Sequence, residues 1–164
     1  MLSKHPWGGD ELKRWHAQTH ERGLQETGGN AQVKDLVAAG TCDFGWTDTD
    51  DLFVAKDAGL PVEMVPVRVE GEATISIPNS VAIIRGTNNL AAAQRLVDFL
   101  HSEEIELELS RSTARQIPLG PVDETQLSAD VRQLKEWARE GYNLNTLAES
   151  REACLDWLMS EYLE

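Results

Sequence analysis

Ten consecutive residues, Cys42-Asp43-Phe44-Gly45-Trp46-Thr47-Asp48-Thr49-Asp50-Asp51, run from a short apolar stretch into three aspartates within four positions. Carboxylates this crowded repel one another, so the chain around them must fold in a way that supplies solvent, a proton or a cation. A solvated turn meets that demand, and so does the mouth of a cation-binding site.

The rest of the chain limits the partners such a segment can have. Twenty-eight acidic against fifteen basic residues give a formal charge of -13, which repels phosphate backbones and anionic membrane surfaces, so no nucleic acid is expected as a partner. With 164 residues, 41% of them hydrophobic, the chain suits one ordinary domain or two small lobes. A fold of that size buries roughly 68 to 70% of its unfolded surface. Cys42 and Cys154 lie far apart, match no zinc spacing and are read as small core residues. No run of about 18 apolar residues occurs. Met1 to Trp7 lacks the apolar middle of a secretory signal, so as written the chain is expected to carry no export address, which would leave it cytoplasmic.

Periodicity and punctuation outline the elements. Asp10 to Arg22 reads as a helix with Leu12 and Trp15 facing inward and Gly23 as its stop. Asn30, as N-cap, opens a second helix with Val33, Leu36 and Val37 on one face and Gly40 as terminator. Thr41 to Trp46 reads as a strand, Asp50 to Ala58 as a helix, and Val62 to Val67 as extended. A further extended segment runs from Ala73 to Ile84, interrupted at Pro78. The alternation is β-α-β in character, which makes the expected class α/β. The second half is expected to be mostly helical. Leu90, Ala93, Val97 and Leu100 form one stripe; Ser102 restarts a helix with Ile105 and Leu109 inward; Val131, Leu134 and Trp137 line another. Leu147, Cys154, Leu155, Leu158 and Tyr162 form the stripe of a terminal helix.

Three groups of residues have chemical potential. Gly28-Gly29-Asn30 before a helix suits an anion, because the first turn leaves N–H groups unpaired, but the same residues make a plain capped turn. They match neither the dinucleotide fingerprint nor the phosphate loop. His16 and His20 stand four apart on the first helix, where both rings can face one ion. Ala17 stands where the zinc-protease pattern needs glutamate, so the pair is read as solvated or packed. Asp48-Thr49-Asp50 has the Asp-x-Asp form of a magnesium-dependent phosphohydrolase, one aspartate attacking and the other moving a proton. Gly45 and Thr47 interrupt the apolar run that should precede it, and Leu52 replaces the usual Thr or Val.

Taken together, several stretches resemble the bacterial extracellular solute-binding proteins of family 1, in particular the iron(III)-type binding components of ABC importers. They are Gly29-Asn30 followed by Val33-Lys34-Asp35-Leu36-Val37-Ala38-Ala39-Gly40, the segment from Asp43 to Asp51, and Gly59-Leu60-Pro61-Val62. Ile77 to Gly86, Ala92 to Ser102 and Gln116-Ile117-Pro118-Leu119 continue the series. The similarity runs from about residue 10 to the end and covers about half of the family's protein.

The resemblance implies part of a two-lobed, type II periplasmic-binding fold with a helix-rich second half. Residues 1–70 would be the remaining part of lobe 2, 71–80 the crossover or hinge, and 81–164 the returning part of lobe 1. It implies a non-catalytic protein that binds a small solute between lobes and delivers it to ABC permease subunits, in the periplasm or another extracytoplasmic space. Gly29, Asn30, Ala31, Trp46, Thr47 and Asp48 would contact the solute. The two adjacent tyrosines that bind iron in relatives fall by position on Asp50 and Asp51, hard oxygen donors suited to iron(III) or another hard cation. No cofactor is required beyond such a metal ion carried as ligand. Self-association is also expected, because half a fold leaves sheet edges and apolar faces uncovered.

Overall fold

The structure, a computed structural model, describes residues 8–69 and 73–162. These residues are mostly helical, with seven α-helices and one two-stranded hairpin among them. The helices are α1 (Gly8–Glu21), α2 (Asn30–Ala38), α3 (Thr49–Asp57), α4 (Leu90–Leu100), α5 (Glu103–Arg111), α6 (Ala129–Arg139) and α7 (Arg151–Tyr162). Strands β1 (Arg68–Val69) and β2 (Ala73–Thr74) pair antiparallel, Arg68 opposite Thr74 and Val69 opposite Ala73. No helix of the described residues is long and apolar enough to cross a membrane.

The helices stop where glycine allows. In α1, α2 and α3 the last turn closes through a left-handed glycine: Gly23 at φ 88°, Gly40 at φ 68° and Gly59 at φ 72°. Each donates its N–H three residues back, and the next residue donates five back, as Thr41 does to the Leu36 carbonyl at 2.9 Å. This pairing satisfies carbonyls that the helix end leaves open, at a backbone angle that an L side chain resists.

The expected strands form only in part. Thr41 to Trp46 and Val62 to Val67 have no ladder, and of Ala73 to Ile84 only Ala73 and Thr74 pair. Half-burial nevertheless alternates along 62–67, with Val62, Met64 and Pro66 more covered than Glu63, Val65 and Val67. The side-chain pattern of a strand is therefore present without the neighbour that would make one. Residues 71 and 72 of the expected crossover lie outside the described residues, as does Met1 to Trp7.

Contacts group the chain into two units, residues 1–26 with 142–164, and residues 27–141. In the larger unit Phe53, Val131, Thr74 and Pro118 are the largest fully buried side chains among the described residues, and Leu107, Leu127 and Val131 form a cluster with Val122 packed on it. Ser102 and Ser128 cap α5 and α6 by accepting from the N–H groups of Ile105 and Val131. The inward face of α5 carries Leu107 and Ser110, while the expected Leu109 is 43% exposed. Three glutamates stand in the first turn of α5, two of which accept backbone N–H bonds, Glu103 from Asp123 and Glu106 from Leu119 and Gly120, so the short apolar period there leaves the inward face ambiguous.

Arg115 joins α3 to the loop after α5. Its guanidinium donates to both Asp57 carboxylate oxygens, at 2.7 and 3.1 Å, and lies 4.6 Å from the centre of the Phe53 ring. These contacts hold a non-glycine backbone at φ 45°, a left-handed conformation that costs about 1–2 kcal/mol. The Arg115 bonds hold the Asp57 carboxyl below its ordinary value of 3.8. A carboxylate lowered on folding stabilises fully above its unfolded value and loses that contribution as pH falls through the lowered one. Asp57→Asn is therefore expected to lower the urea midpoint at neutral pH, with the difference disappearing well below pH 3.8. An unchanged gap in acid would contradict the assigned cause.

Candidate functional site

The acid segment and the start of α2 meet within the larger unit. Gly29, extended at φ 174°, is the N-cap of α2 and Asn30 its first residue. The expected Asn30 cap is thus displaced by one position, and the Asn30 side chain reaches α3 instead, its Nδ2 donating to Asp48 Oδ2 at 2.5 Å. Asp48 in turn is the N-cap of α3 but makes no side-chain capping bond. Two groups that would each cap a helix instead bind one another.

Thr47 completes the link. Its hydroxyl lies 3.2 Å from both the Asn30 carbonyl and Asp51 Oδ2, oxygens to which its single proton can donate in turn. Asp50 and Asp51 occupy the first turn of α3, where the partial positive charge of the helix end offsets part of their repulsion. Desolvation, and then donation of the Asp51 proton to the Asp48 carboxylate together with the charges of Asp48 and Asp50, push the Asp51 carboxyl up from its ordinary 3.8. Carboxylate oxygens of this group have lone pairs to offer a hard cation.

The close approach depends on Gly45. A Cβ at that position would stand 2.3 Å from Val33 Cγ1, so the loop packs on α2 at a distance only glycine permits. Phe44 and Trp46 stack edge to face beside it, ring centres 5.7 Å apart, and are 73% and 50% exposed.

Of the residues expected to bind solute, Asn30, Thr47 and Asp48 are hydrogen-bonded to one another, with Asp51 joined through Thr47. Gly29 and Ala31 flank Asn30 on the exposed start of α2, and Trp46 precedes Thr47 on the same loop. Asp50 is half-buried in the first turn of α3. As a nucleophile of the Asp-x-Asp type, Asp48 would attack through Oδ1, with the Asn30 bond on Oδ2 holding the carboxylate in place.

Elsewhere, in the smaller unit, an open hollow of about 340 Å³ is lined by Leu12, Lys13, Glu149, Ser150, Ala153, Cys154 and Trp157. Comparison with protein-family models, with curated proteins and with solved structures gives no match.

Proposed function

We propose that the chain is part of a two-lobed solute-binding protein of the ABC-importer type, and that the Asn30, Thr47, Asp48, Asp50 and Asp51 group binds the solute. The observation that carries this reading is the Asn30 to Asp48 bond, which sets a helix N-terminus against the aspartates. A helix start offers N–H groups to an anion, and carboxylates offer oxygens to a hard cation. A hard cation with its oxyanion, or a solute carrying both charges, matches the pair.

In this reading the ladderless segments 62–67 and 75–84 take strand positions of α/β lobes, in keeping with their alternating and exposed apolar side chains such as Val65 and Ile77, 85% and 78% exposed. Delivery is to ABC permease subunits, and no bond of the solute is broken. Ligand binding acts by favouring one state of the protein through its differential affinity for it.

Thermal melts against hard cations including iron(III), oxyanions, polyamines and sugars test this directly. A true ligand at a hundred times its Kd should stabilise by about 2.7 kcal/mol. Asp51→Asn is expected to lose that response while its ligand-free melting temperature at neutral pH rises. A carboxyl raised on folding loses stability as pH climbs from 3.8 through the raised value, and the amide removes that loss. Turnover of p-nitrophenyl phosphate with magnesium, abolished by Asp48→Asn, would instead establish the phosphohydrolase.

A further inference from the structure

We propose that His16, His20 and Glu26 form a binding site for a divalent transition-metal ion of the zinc type. The site lies in the smaller unit and is independent of the solute-binding reading above. His16 is packed against Trp157 and His20 is exposed, as expected of the pair, and the proposal goes beyond that expectation.

The local sequence builds the site. A spacing of four puts both imidazoles on one face of α1. The left-handed Gly23 then closes the helix, its N–H donating to the His20 carbonyl at 2.9 Å, and reverses the chain so that Glu26 returns to that face. His16 Nε2 and His20 Nε2 stand 3.2 Å apart, and Glu26 Oε1 is 2.7 Å from His20 Nε2. The three ligand atoms all lie within 4.8 Å of one another. Ligands about 2.0–2.1 Å from a tetrahedral zinc ion are separated by about 3.3 Å, so the imidazole pair already has the spacing of a coordination edge. Glu26, with 44% of its side chain exposed, can open its shorter edge by rotation.

The surroundings hold His16 in a ligand's orientation. It is 7% exposed, and the Trp157 ring meets it edge-on with centres 5.2 Å apart. Its other nitrogen, Nδ1, faces the Glu161 carboxylate at 3.7 Å. A carboxylate on the far side of a histidine favours the Nδ1–H tautomer, which leaves the Nε2 lone pair for metal. The Tyr162 hydroxyl, 2.5 Å from His16 Nε2, occupies the remaining side of the cluster and would pass from that nitrogen to Glu26 or to a metal-bound water. Two imidazoles and a carboxylate favour zinc and its first-row neighbours over calcium or magnesium. On binding, each imidazole and the carboxylate donate one lone pair, and any proton on those atoms passes to solvent.

Titration of the full chain with cobalt(II), followed by competition with zinc(II), tests the site. One equivalent of cobalt should give the intense visible bands of a four- or five-coordinate centre, bleached by zinc. His20→Ala and Glu26→Gln alter exposed side chains, so folding is expected to persist and is checked by circular dichroism. Each should weaken affinity by at least about tenfold, the lower end of what an altered metal shell costs. An Asp50→Asn, Asp51→Asn double variant should bind cobalt as the parent does, which separates this site from the solute site. Absence of the bands, affinity unchanged in both His20→Ala and Glu26→Gln, or loss in the aspartate variant would each overturn the proposal.

Discussion

Truncating Phe53 to alanine should cost about 3–5 kcal/mol, a large part of the roughly 5–15 kcal/mol by which domains of this kind are stable. Phe53 is 1% exposed, the largest side chain buried so completely among the described residues, and sits between the neighbouring core residues Leu52 and Ala55 on α3. Its removal leaves a cavity that a close-packed interior refills only in part. It also strips Arg115 of the ring beneath its guanidinium, so the left-handed backbone at Arg115 loses one of the side-chain contacts that restrain it. Urea unfolding is the measurement, with the midpoint falling while the slope stays constant. Val65→Thr, at a side chain 85% exposed, should stay within about 0.5 kcal/mol. Similar losses for the two variants would show that α3 does not anchor the larger unit.

The second large effect is expected at Gly45. An alanine methyl there would lie 2.3 Å from Val33 Cγ1 and 3.5 Å from Val37 Cγ2, so the loop or α2 must shift. Overpacking of this kind costs about 1–3 kcal/mol. The shift moves Thr47 and Asp48 away from Asn30, so Gly45→Ala should also abolish any ligand response of the acid group. Removing the opposing methyls by Val33→Ala should restore part of the loss, with a coupling energy of at least about 0.5 kcal/mol in a double-mutant cycle. Additive effects of the two substitutions would mean that this contact does not hold the site closed.

Helices were the legible part of the fold. The apolar spacing at Val33, Leu36 and Val37 and the glycine stops at 23 and 40 depend on interactions within about six residues, and the structure places α1 and α2 accordingly. Val131 and Leu134 were likewise readable as one buried face, because α6 has its apolar residues at a sustained helical period. The terminal helix was read less well. Leu155 and Leu158 are both 40% exposed, while Trp157, outside the expected stripe, is more covered along with the expected Cys154, since a helix with apolar residues on several sides takes its buried face from whatever packs on it. The same holds for α1, where His16 is buried and Trp15, expected inward, is 41% exposed.

The two sites differ in the same way. The crowding of Asp48, Asp50 and Asp51, and their nearness to a helix start, could be read from residue types and order alone. That Asn30 would spend its side chain on Asp48 rather than on its own helix required the two helices to be placed together. Of the metal cluster, the histidine spacing was visible in the sequence, but Glu26 lies beyond a turn and Tyr162 is 146 residues from His16. No local pattern links such positions.

What the chain order determined by itself were short-range properties: helix periods, glycine terminators, a strongly negative charge and a segment of mutually repelling carboxylates. The tertiary structure alone decided which faces are covered, that the segments patterned as strands lack a ladder beyond β1 and β2, and that His16, His20, Glu26 and Tyr162 converge. Burial and coordination depend on distances between residues far apart in the chain, and those distances are set by packing.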